Sequence, residues 1–493
     1  MRERSFSLLV LFSLMMAPLL IAAPEALRAP THEGVVYSTD QTWSGNMTLD
    51  DNVIIATGAT LIIEAGTHLN VTEDVTITIN GDLDIQGTTE EPIEIWGSWI
   101  AETSIQARWQ GFLLNSGSTS SVTHTNIADS RGGFDVETGA TLSISSTTLS
   151  ENIIGVWNKG VVTGDGFNCI SATTTCLRVD GSATLTTLSS TLSAGTIHVS
   201  NGGNANIGTI TSSDDSDVIV LDDGSTFYGE VHADGFTRLV RGSGQVSATV
   251  TLDNIGIGEI LIDANSLGGL SVTGGSPCDS NCTVNSMLVG SVEDIEFSSQ
   301  YLFCGSTQPC VDATIDGELS FTGAWPSTEI YPSETFARLR GNGIVHISEM
   351  HIDSDHELFD VSGNGDLVIA NSTLNSDTIG TISGWSLNIE NTILNADSDG
   401  LTLLDVEAEF DHVELYRDYL LSDASSVGIR AVWSELLIQD LDTTGWNDGV
   451  RCESECVITG TELTSGGGGR NSGSGLSVDG GTVEIQTSNT SAS

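Results

Sequence analysis

A short motif recurs along the C-terminal part of this chain and constrains the fold more than any other feature of the sequence. Each copy alternates apolar and polar residues, as in residues 367–374 and 387–394, and a Gly-led run such as residues 400–403 follows it. The copies are centred on Ile369, Ile389, Phe410, Ile438, Ile458 and Ile485, with an earlier copy at Ile144. A repeat of about 23 residues with short strands and tight turns predicts a solenoid of stacked coils.

The composition agrees with many short strands joined by turns. The chain has 55 Gly but 8 Pro, and aromatic residues make up 6%. Such a composition favours strands and tight turns over long helices. Because a solenoid grows by adding coils, a length of 493 residues does not by itself imply several globular domains.

Four motifs occur in a fixed order at the start of the repeat. They are Gly-Ala-Thr-Leu-x-Ile-x-x-Gly-Thr at 58–67, Gly-x-Leu-x-x-x-Gly-Thr at 81–88, Pro-Ile-x-Ile at 92–95 and Trp-x-Gly at 109–111. This order resembles the opening coils of secreted prokaryotic right-handed parallel β-helix proteins, which belong to the broad pectate-lyase-like fold group. The resemblance covers residues 57–160 and recurs from 361 to 493.

The resemblance implies an all-β, right-handed parallel β-helix of roughly 19 coils with an N-terminal cap, in which each coil carries two or three strands. We expect a lead-in and cap at 31–56 and the helix at 57–493. Residues 180–345 are less regular, and a separate β-domain inserted there is the alternative. A further coil begins near residue 482 and no polar cap follows it, so we expect the C-terminal end to be truncated.

The alternation within each copy predicts which side chains enter the core. Inward positions are Leu367, Ile369, Leu387, Ile389, Leu401 and Leu403, and outward positions are Val368, Asn388 and Thr402. Asn371 and Asn391 each lie two residues past an inward Ile. We expect corners there, with side chains bonded to the backbone of adjacent coils.

The N-terminal segment has the pattern of an export signal. Arg2 and Arg4 precede an apolar run at 6–23, and small residues follow at Ala22, Ala23 and Ala26. We expect residues 1–30 to form a signal peptide, and an uncleaved anchor is the alternative. No later segment reaches the ~18 apolar residues that span a bilayer. A secreted or cell-surface location without a transmembrane helix in the mature chain is therefore predicted.

The charge is strongly one-sided, with 66 Asp and Glu against 15 Lys and Arg and a formal net charge of −51. Lys159 is the only lysine. This acidic excess argues against nucleic acid or anionic lipid as a partner, because both would be repelled. The acidic residues predict a solvated surface suited to a salty environment, or turns that collect Ca²⁺. Either hypothesis predicts weaker folding at low salt, where self-repulsion is poorly screened.

Eight cysteines fall into four close pairs: Cys169/Cys176, Cys278/Cys282, Cys304/Cys310 and Cys452/Cys456. In an exported chain such pairs predict local disulfides. A zinc site formed by the second and third pairs is the alternative. Glycosylation sequons begin at Asn46, Asn70, Asn281, Asn371 and Asn489.

Two acidic segments are candidate metal sites. His351, Asp353 and Asp355 would share one face of a strand, and Asp397 and Asp399 belong to a segment similar to half of a calcium loop. An ordinary acidic turn explains the first segment equally well, and a coil corner, with Gly400 opening the next strand, explains the second better. Ca²⁺ is therefore the one cofactor that the sequence suggests, and it remains a hypothesis.

Enzymes of the pectate-lyase-like group use carboxylates with a Lys or Arg base, or paired carboxylates with a Gly-His-Gly and an Arg-x-Lys signature. This chain contains neither signature. Asp214 with Asp215, and Arg338 with Arg340, are the groups that could take such roles. Because acidic turns are abundant here, no catalytic residue is predicted.

The sequence as a whole predicts an exported β-helix rod with a structural, adhesive or glycan-binding role. Polysaccharide or another cell-surface glycan is the expected partner, and the oligomeric state is not predicted. Tryptophans that could stack on sugar rings where exposed are Trp96, Trp99, Trp109, Trp385, Trp433 and Trp446. The alternative for most of them is burial in the core or shielding of a coil edge. The alternatives are a polysaccharide lyase or glycoside hydrolase acting along the rod, and a calcium-stabilised scaffold segment of a larger surface protein.

Overall fold

Parallel β-strands build nearly all of the regular structure in the described part of the chain. The computed structural model describes residues 34–491 except for 101–104, 107, 182, 188–189, 193–194, 213–216, 234–236, 253–257, 275–282, 299–300, 305–308, 324–328, 333–334, 418–425 and 468–473. Within these described residues all regular elements are strands, and all but two of the strands belong to one 42-stranded sheet.

The strands are short at the N-terminal end and merge into longer ones towards the C-terminal end, where some turn a corner without interruption. The first part contains β1 (Val35–Tyr37), β2 (Gln41–Trp43), β3 (Asn46–Leu49), β4 (Val53–Ile55), β5 (Thr60–Glu64), β6 (His68–Val71), β7 (Thr76–Ile79), β8 (Asp82–Gln86), β9 (Ile93–Gly97), β10 (Trp99–Ile100), β11 (Ile105–Gln106), β12 (Gly111–Leu114), β13 (Thr119–Thr123), β14 (Thr125–Ala128), β15 (Gly132–Val136), β16 (Thr141–Ser150), β17 (Ile154–Asn158), β18 (Val161–Ile170), β19 (Thr175–Asp180), β20 (Thr184–Thr187), β21 (Ser190–Leu192) and β22 (Thr196–Ser200). The second part contains β23 (Asn204–Ser212), β24 (Asp217–Leu221), β25 (Thr226–Ala233), β26 (Arg238–Gly242), β27 (Gln245–Leu252), β28 (Gly258–Gly274), β29 (Thr283–Ser298), β30 (Tyr301–Cys304), β31 (Val311–Thr322), β32 (Glu329–Pro332), β33 (Ala337–Gly341), β34 (Ile344–Ser348), β35 (His351–Asp353), β36 (Glu357–Gly363), β37 (Asp366–Ala370), β38 (Thr373–Ser383), β39 (Ser386–Leu404), β40 (Glu407–Tyr416), β41 (Val427–Val432), β42 (Glu435–Trp446), β43 (Asp448–Gly467) and β44 (Ser474–Ser491).

Each coil contributes strands to three faces, which we name A, B and C in chain order. Face A is paired coil by coil through β1, β4, β7, β12, β15, β17, β19, β22, β24, β26, β28, β29, β31, β33, β36, β38, β39, β41, β43 and β44. Faces B and C begin with β2 and β3, which pair with β5 and β6 of the next coil. The prediction of an all-β parallel solenoid is confirmed.

The lead-in and the middle of the chain both belong to these ladders. The residues at 35–49, predicted as a cap, form strands that pair in register with the following coil. Through 258–298 face A continues, but the pairing of β28 with β29 shifts register at three places. The irregular sequence of this segment therefore changes the register of the solenoid rather than interrupting it. The antiparallel pair β10–β11 is a small excursion between two coils.

The core is a set of stacked apolar rows. One row runs through Leu319, Val345, Leu367, Leu387, Ala408, Leu436 and Ile458. All seven side chains are buried. The six side chains predicted to point inward are buried, and Val368, Asn388 and Thr402 are not. Aromatic rings also stack from coil to coil, as in Phe112 and Phe134, whose ring centroids are 5.3 Å apart.

One position in the predicted repeat is wrong. Ile438 pairs with Gly460, and Gly460 pairs with Ile485, so Gly460 rather than Ile458 continues the row of Ile369 and Ile389. Ile458 lies two residues earlier on the same inward face, opposite Leu436. The backbone is packed tightly at Gly460, where an added Cβ would lie 2.1 Å from the carbonyl oxygen of Ile438. A residue larger than glycine therefore could not occupy position 460, which is why the row of isoleucines is interrupted there.

Residues in the left-handed conformation turn the corners between faces. Asn371 and Asn391 lie at one corner, with φ values of 49° and 46°, so the predicted corner is present. The side-chain amide of Asn391 donates to the carboxylate of Glu390 rather than to the backbone of a neighbouring coil. The backbone of Asn371 makes the contact between coils, because its N–H donates to the carbonyl of Glu390 at 3.0 Å.

Two of the predicted cysteine pairs are disulfides, Cys169–Cys176 and Cys452–Cys456. Each closes a short loop, with 7 and 4 residues of sequence separation. Cys310 is buried and disulfide-bonded. Cys278 and Cys282 lie outside the described residues, as does the side chain of Cys304. None of the described residues belongs to a helix long and apolar enough to cross a membrane.

Candidate functional site: a corner cleft beside Trp433

A cleft of about 400 Å³ lies along the corner between faces A and B on four consecutive coils. We call it the corner cleft. Each coil contributes the residues that end a face A strand and begin the next face B strand. The charged and aromatic side chains that line it are Asp366, Trp385, Asp405, Glu407, Trp433 and Glu435. Four of these six are carboxylates, and none of the lining residues is Lys or Arg.

Trp433 projects from this corner in a conformation that is unusual for a large side chain. Its backbone φ is 53°, and 61% of the residue is exposed. Asp405 takes the equivalent place on the preceding coil, with a φ of 58°. A bulky residue in the left-handed region is strained by roughly 1–2 kcal/mol. Residues held in such strain cluster at functional sites, so Trp433 is the first candidate for contact with a ligand.

The acidic side chains of the cleft form a ladder along the start of face B. Asp366 pairs with Ser386, and Glu407 pairs directly with Glu435 in the same row of positions. The Ser386 hydroxyl donates to the carboxylate of Asp366. Glu407 and Glu435 are both exposed and have like charges directly opposite each other, an arrangement that weakens a sheet. The pair of Glu407 and Glu435 therefore does not contribute to the stability of the fold.

Trp385 lies beneath the same corner and is fully buried, at 0% exposure. Its indole packs against the backbone of Gly363 and Gly365, since a Cβ on either glycine would lie within 3 Å of the ring. Its Nε1–H has no hydrogen-bond partner among the described residues. A buried donor without a partner costs roughly 1–3 kcal/mol. The corner cleft thus combines carboxylate acceptors with an exposed aromatic face, and an unsatisfied donor is buried beneath it.

The other tryptophans predicted to stack on sugars are less available. Trp109 and Trp446 are fully buried, and their Nε1 atoms donate to the carbonyls of Ala128 and Leu415 at 2.9 and 3.1 Å. Trp96 is half-buried, and its ring lies 5.8 Å from that of His68. The side chain of Trp99 lies outside the described residues. Trp433 is therefore the most exposed of those described.

The arginines considered as catalytic bases lie on face A, where each is held by carboxylates of neighbouring coils. Arg338 lies opposite both Asp312 and Asp360, and its guanidinium approaches them at 3.5 and 3.1 Å. Arg340 makes a second contact with Asp312 at 2.8 Å. An arginine held as a cation between two carboxylates is poorly suited to accept a proton.

The acidic cluster near residue 215 has a similar structural role where it is described. Asp217 contacts Arg238 at 3.3 Å and Arg241 at 3.1 Å, and Arg238 also contacts Asp263 at 2.9 Å. Asp214 and Asp215 lie outside the described residues. The sequence could not reveal these pairs, because their members are 21 or more residues apart and meet only through the length of a coil.

The candidate metal ligands do not converge. Asp397 and Asp399 are both exposed, and Asp355 is exposed beyond the end of β35. His351 contacts the side-chain amide of Asn375 at 3.4 Å. Among the residues that the structure describes, no three His, Cys, Asp or Glu side chains are grouped as a metal site requires. The calcium hypothesis therefore stays a prediction that the described geometry does not support.

Three of the five sequon asparagines have described side chains. Asn46 and Asn371 are exposed, and Asn70 is half-buried. Asn281 and the side chain of Asn489 lie outside the described part of the chain.

A second acidic pair, which the sequence did not single out, lies on face C. Burial raises the pKa of Asp442, and the charges of Glu414 and Asp440 raise it further. Beside them, burial together with the hydrogen bond to Glu414 raises the pKa of Tyr416 to about 12. Glu414 and Asp442 are directly paired in the sheet. Two acidic residues 28 positions apart give no sequence signal until the register is known.

Comparison with known proteins gives no relative for this chain. No protein-family model matches it, and no curated protein or solved structure is significantly similar to it. Its function is therefore inferred from the fold and the corner cleft.

Proposed function

We propose that this protein is an exported, surface-exposed β-helix rod that binds glycans at the corner cleft. The observation that carries the proposal is Trp433, a strained and exposed indole beside a cleft lined by four carboxylates. An exposed indole face stacks on the apolar face of a sugar ring, and carboxylates accept hydrogen bonds from hydroxyl groups.

The charge of the cleft limits the class of glycan. Asp366, Asp405, Glu407 and Glu435 would repel uronic acids and sulfated sugars. A neutral or amino sugar avoids this repulsion, and an amino sugar adds attraction to the carboxylates. Neutral or cationic glycans are therefore the proposed ligands, whereas the anionic polysaccharides usual for lyases of this fold are disfavoured.

The finer description of the fold belongs to the same proposal. We take the solenoid to be right-handed and of the pectate-lyase-like group, with a cap at its N-terminal end. Four motifs in the order typical of that group support this, as does the three-faced parallel coil. Export rests on the signal-like segment at 1–30, which lies outside the described residues.

The test is retention of the protein on immobilised polysaccharides in high salt. Neutral, amino-sugar and uronic-acid polymers would be compared, and each soluble polymer would be assayed for new chain ends. We expect retention on neutral or amino-sugar polymers and no new ends. Trp433→Ala should abolish retention, whereas Leu437→Ala should keep it, because Leu437 is an exposed apolar residue of face B that does not line the cleft.

Two outcomes would contradict the proposal. Retention that survives Trp433→Ala would place the binding site elsewhere on the rod. New chain ends that disappear on substituting Arg338 or Asp217 would instead make the protein a polysaccharide lyase or hydrolase acting on face A.

A further inference from the structure

The only lysine of the chain is held between two carboxylates of the preceding coil. Lys159 follows β17, and Asp135 and Glu137 lie at the end of β15. The Lys159 Nζ is 3.0 Å from Oδ1 of Asp135 and 2.7 Å from Oε1 of Glu137. The backbone N–H of Lys159 donates to the carbonyl of Val136 at 2.8 Å, which fixes the two coils beside each other.

The surroundings hold this group in place and partly exclude water. The side chain of Asp135 is 8% exposed and that of Lys159 is 23% exposed. The Lys159 Nζ lies 4.1 Å from the centroid of the Trp157 ring. The Trp157 Nε1–H donates to Asp180 at 2.6 Å, so the ring that covers the lysine is itself anchored.

An ion pair alone does not explain why this residue is a lysine. The other 14 cations of the chain are arginines, and arginine makes the carboxylate contacts elsewhere on face A. Arginine would serve as well or better in a pair with two carboxylates. A lysine differs because its amine, once neutral, is a nucleophile.

We propose that Lys159 and Asp135 form an intramolecular amide bond that cross-links two consecutive coils, with Glu137 as the proton carrier. Glu137 accepts a proton from the Lys159 ammonium and passes it to the carboxylate of Asp135. The neutral Nζ then attacks Cγ of Asp135 and forms the C–N bond. The C–O bond to the hydroxyl of Asp135 breaks, and Glu137 returns the second amine proton to the leaving oxygen. One ammonium and one carboxylate thus become one amide and one water, and no oxidant or other reactant is needed.

The electrostatics of the group favour protonation of Asp135 but oppose deprotonation of Lys159. Burial raises the pKa of Asp135 despite the nearby positive charge of Lys159, and this favours the protonated acid that reacts. Burial also lowers the pKa of Lys159, but its hydrogen bond to Glu137 and the charge of Asp135 outweigh this effect and raise it. The amine is therefore mostly protonated at rest, so the reaction requires Glu137 to remove a proton from it. Only a small fraction of the Lys159 amine is neutral at any time, and the close contact between the reacting groups compensates for this.

The experiment uses the full purified chain, held folded in high salt and then denatured and reduced. A protease that cuts only after lysine has one site in this sequence, at Lys159. It will cut the unlinked chain into two fragments, whereas an amidated lysine is not a substrate. We expect an uncut chain whose intact mass is lower by one water, and a tryptic peptide covering 132–178 with the same deficit.

Three variants make the result specific. Lys159→Arg keeps the cation and should restore the full mass expected from the sequence. Glu137→Gln keeps the shape of the group and should leave the chain cleavable at Lys159. Arg131→Lys adds a site next to the group and should be cut there even in the linked protein, which shows that the protease acts on this region. An unsubstituted chain with its full mass, cut at Lys159, would overturn the proposal whether or not the variants fold.

Discussion

Glu414 and Asp442 lie directly opposite each other on consecutive coils of face C, so that two carboxylates are neighbours across one strand pairing. The Oδ1 atom of Asp442 is buried and has no hydrogen-bond partner among the described residues. Burial and the two neighbouring negative charges of Glu414 and Asp440 together raise the pKa of Asp442 above its ordinary value of 3.8. This pair identifies a place where the fold is weakened by its own charge.

Replacing Asp442 with Asn should stabilise the protein at neutral pH. A carboxyl whose pKa is raised by folding destabilises the folded state above that raised value, and the penalty disappears once the pH falls below its ordinary value. We expect Asp442→Asn to add a few tenths to about 1 kcal/mol at pH 7 and nothing at pH 3. Chemical denaturation at several pH values measures this. Asp479→Asn is the matched control, since Asp479 is exposed and its removal changes the net charge equally. An equal gain in both variants would show that only net charge matters.

Within a strand an alanine variant is usually more stable than a glycine variant, and the strain at Trp433 predicts the opposite order there. Because its φ is 53°, Trp433→Gly should be more stable than Trp433→Ala by about 1 kcal/mol. At Leu437, which lies within strand β42, the glycine variant should be the less stable of the two. Thermal melts of the four variants compare the two positions. If alanine is favoured at both positions, the left-handed conformation of Trp433 is not strained.

Three buried tryptophans allow a comparison of hydrogen-bonded and unsatisfied indoles. Trp385, Trp109 and Trp446 are all fully buried, but only the last two donate to described carbonyls. Replacement by Phe removes a similar volume at each position. We expect Trp385→Phe to cost about 1 kcal/mol less than the other two, because it leaves no carbonyl without its donor. Equal losses in denaturant titrations would mean that the Trp385 donor has a partner in solution.

The acidic surface predicts a strong dependence of stability on salt. With a net charge of −51, self-repulsion should lower the melting temperature as NaCl is reduced well below 0.1 M, where the screening length exceeds about 10 Å. Melting at a series of NaCl concentrations tests this. CaCl₂ at matched ionic strength serves as the control for specific ion binding. A rise confined to Ca²⁺ would support a calcium-stabilised scaffold instead of general screening.

Each short disulfide should contribute about 2 kcal/mol, because loops this small restrict the unfolded chain only modestly. The double variants Cys169→Ser/Cys176→Ser and Cys452→Ser/Cys456→Ser test the two described bonds separately. Unfolding in denaturant, with and without a reductant, measures the loss. The wild-type protein under reducing conditions should lose at least the sum of the two. Variants as stable as the wild type would show that strand pairing alone holds these turns.

The inward rows were predictable from the sequence because alternation within a strand has a fixed period of two. Leu367, Ile369, Leu387 and Ile389 are buried as that period requires. The parallel solenoid followed from the repeat length and from the glycine-rich turns. These features depend only on residues close together in the chain.

Contacts between coils could not be predicted in the same way. The row that joins Asp312, Arg338 and Asp360 depends on the number of residues in each coil, and these spacings differ, at 26 and 22 residues. An error of two residues in register, as at Ile458, preserves the buried face but changes every neighbour. The corner cleft was hidden for the same reason, since its four carboxylates come from three different coils.

The left-handed corner that bears Trp433 has an equivalent on each nearby coil: Gly384, Asp405 and Ser454, with φ values of 73°, 58° and 65°. Four unrelated residues, one of them a glycine, thus occupy one backbone geometry. The hydrogen bonds of the adjoining strands, rather than the residue at the corner, set that geometry. The corner position therefore accepts different side chains on successive coils, at a spacing of roughly 4.8 Å set by the stacked strands. Point substitutions there can change what the rod recognises while leaving its coils untouched.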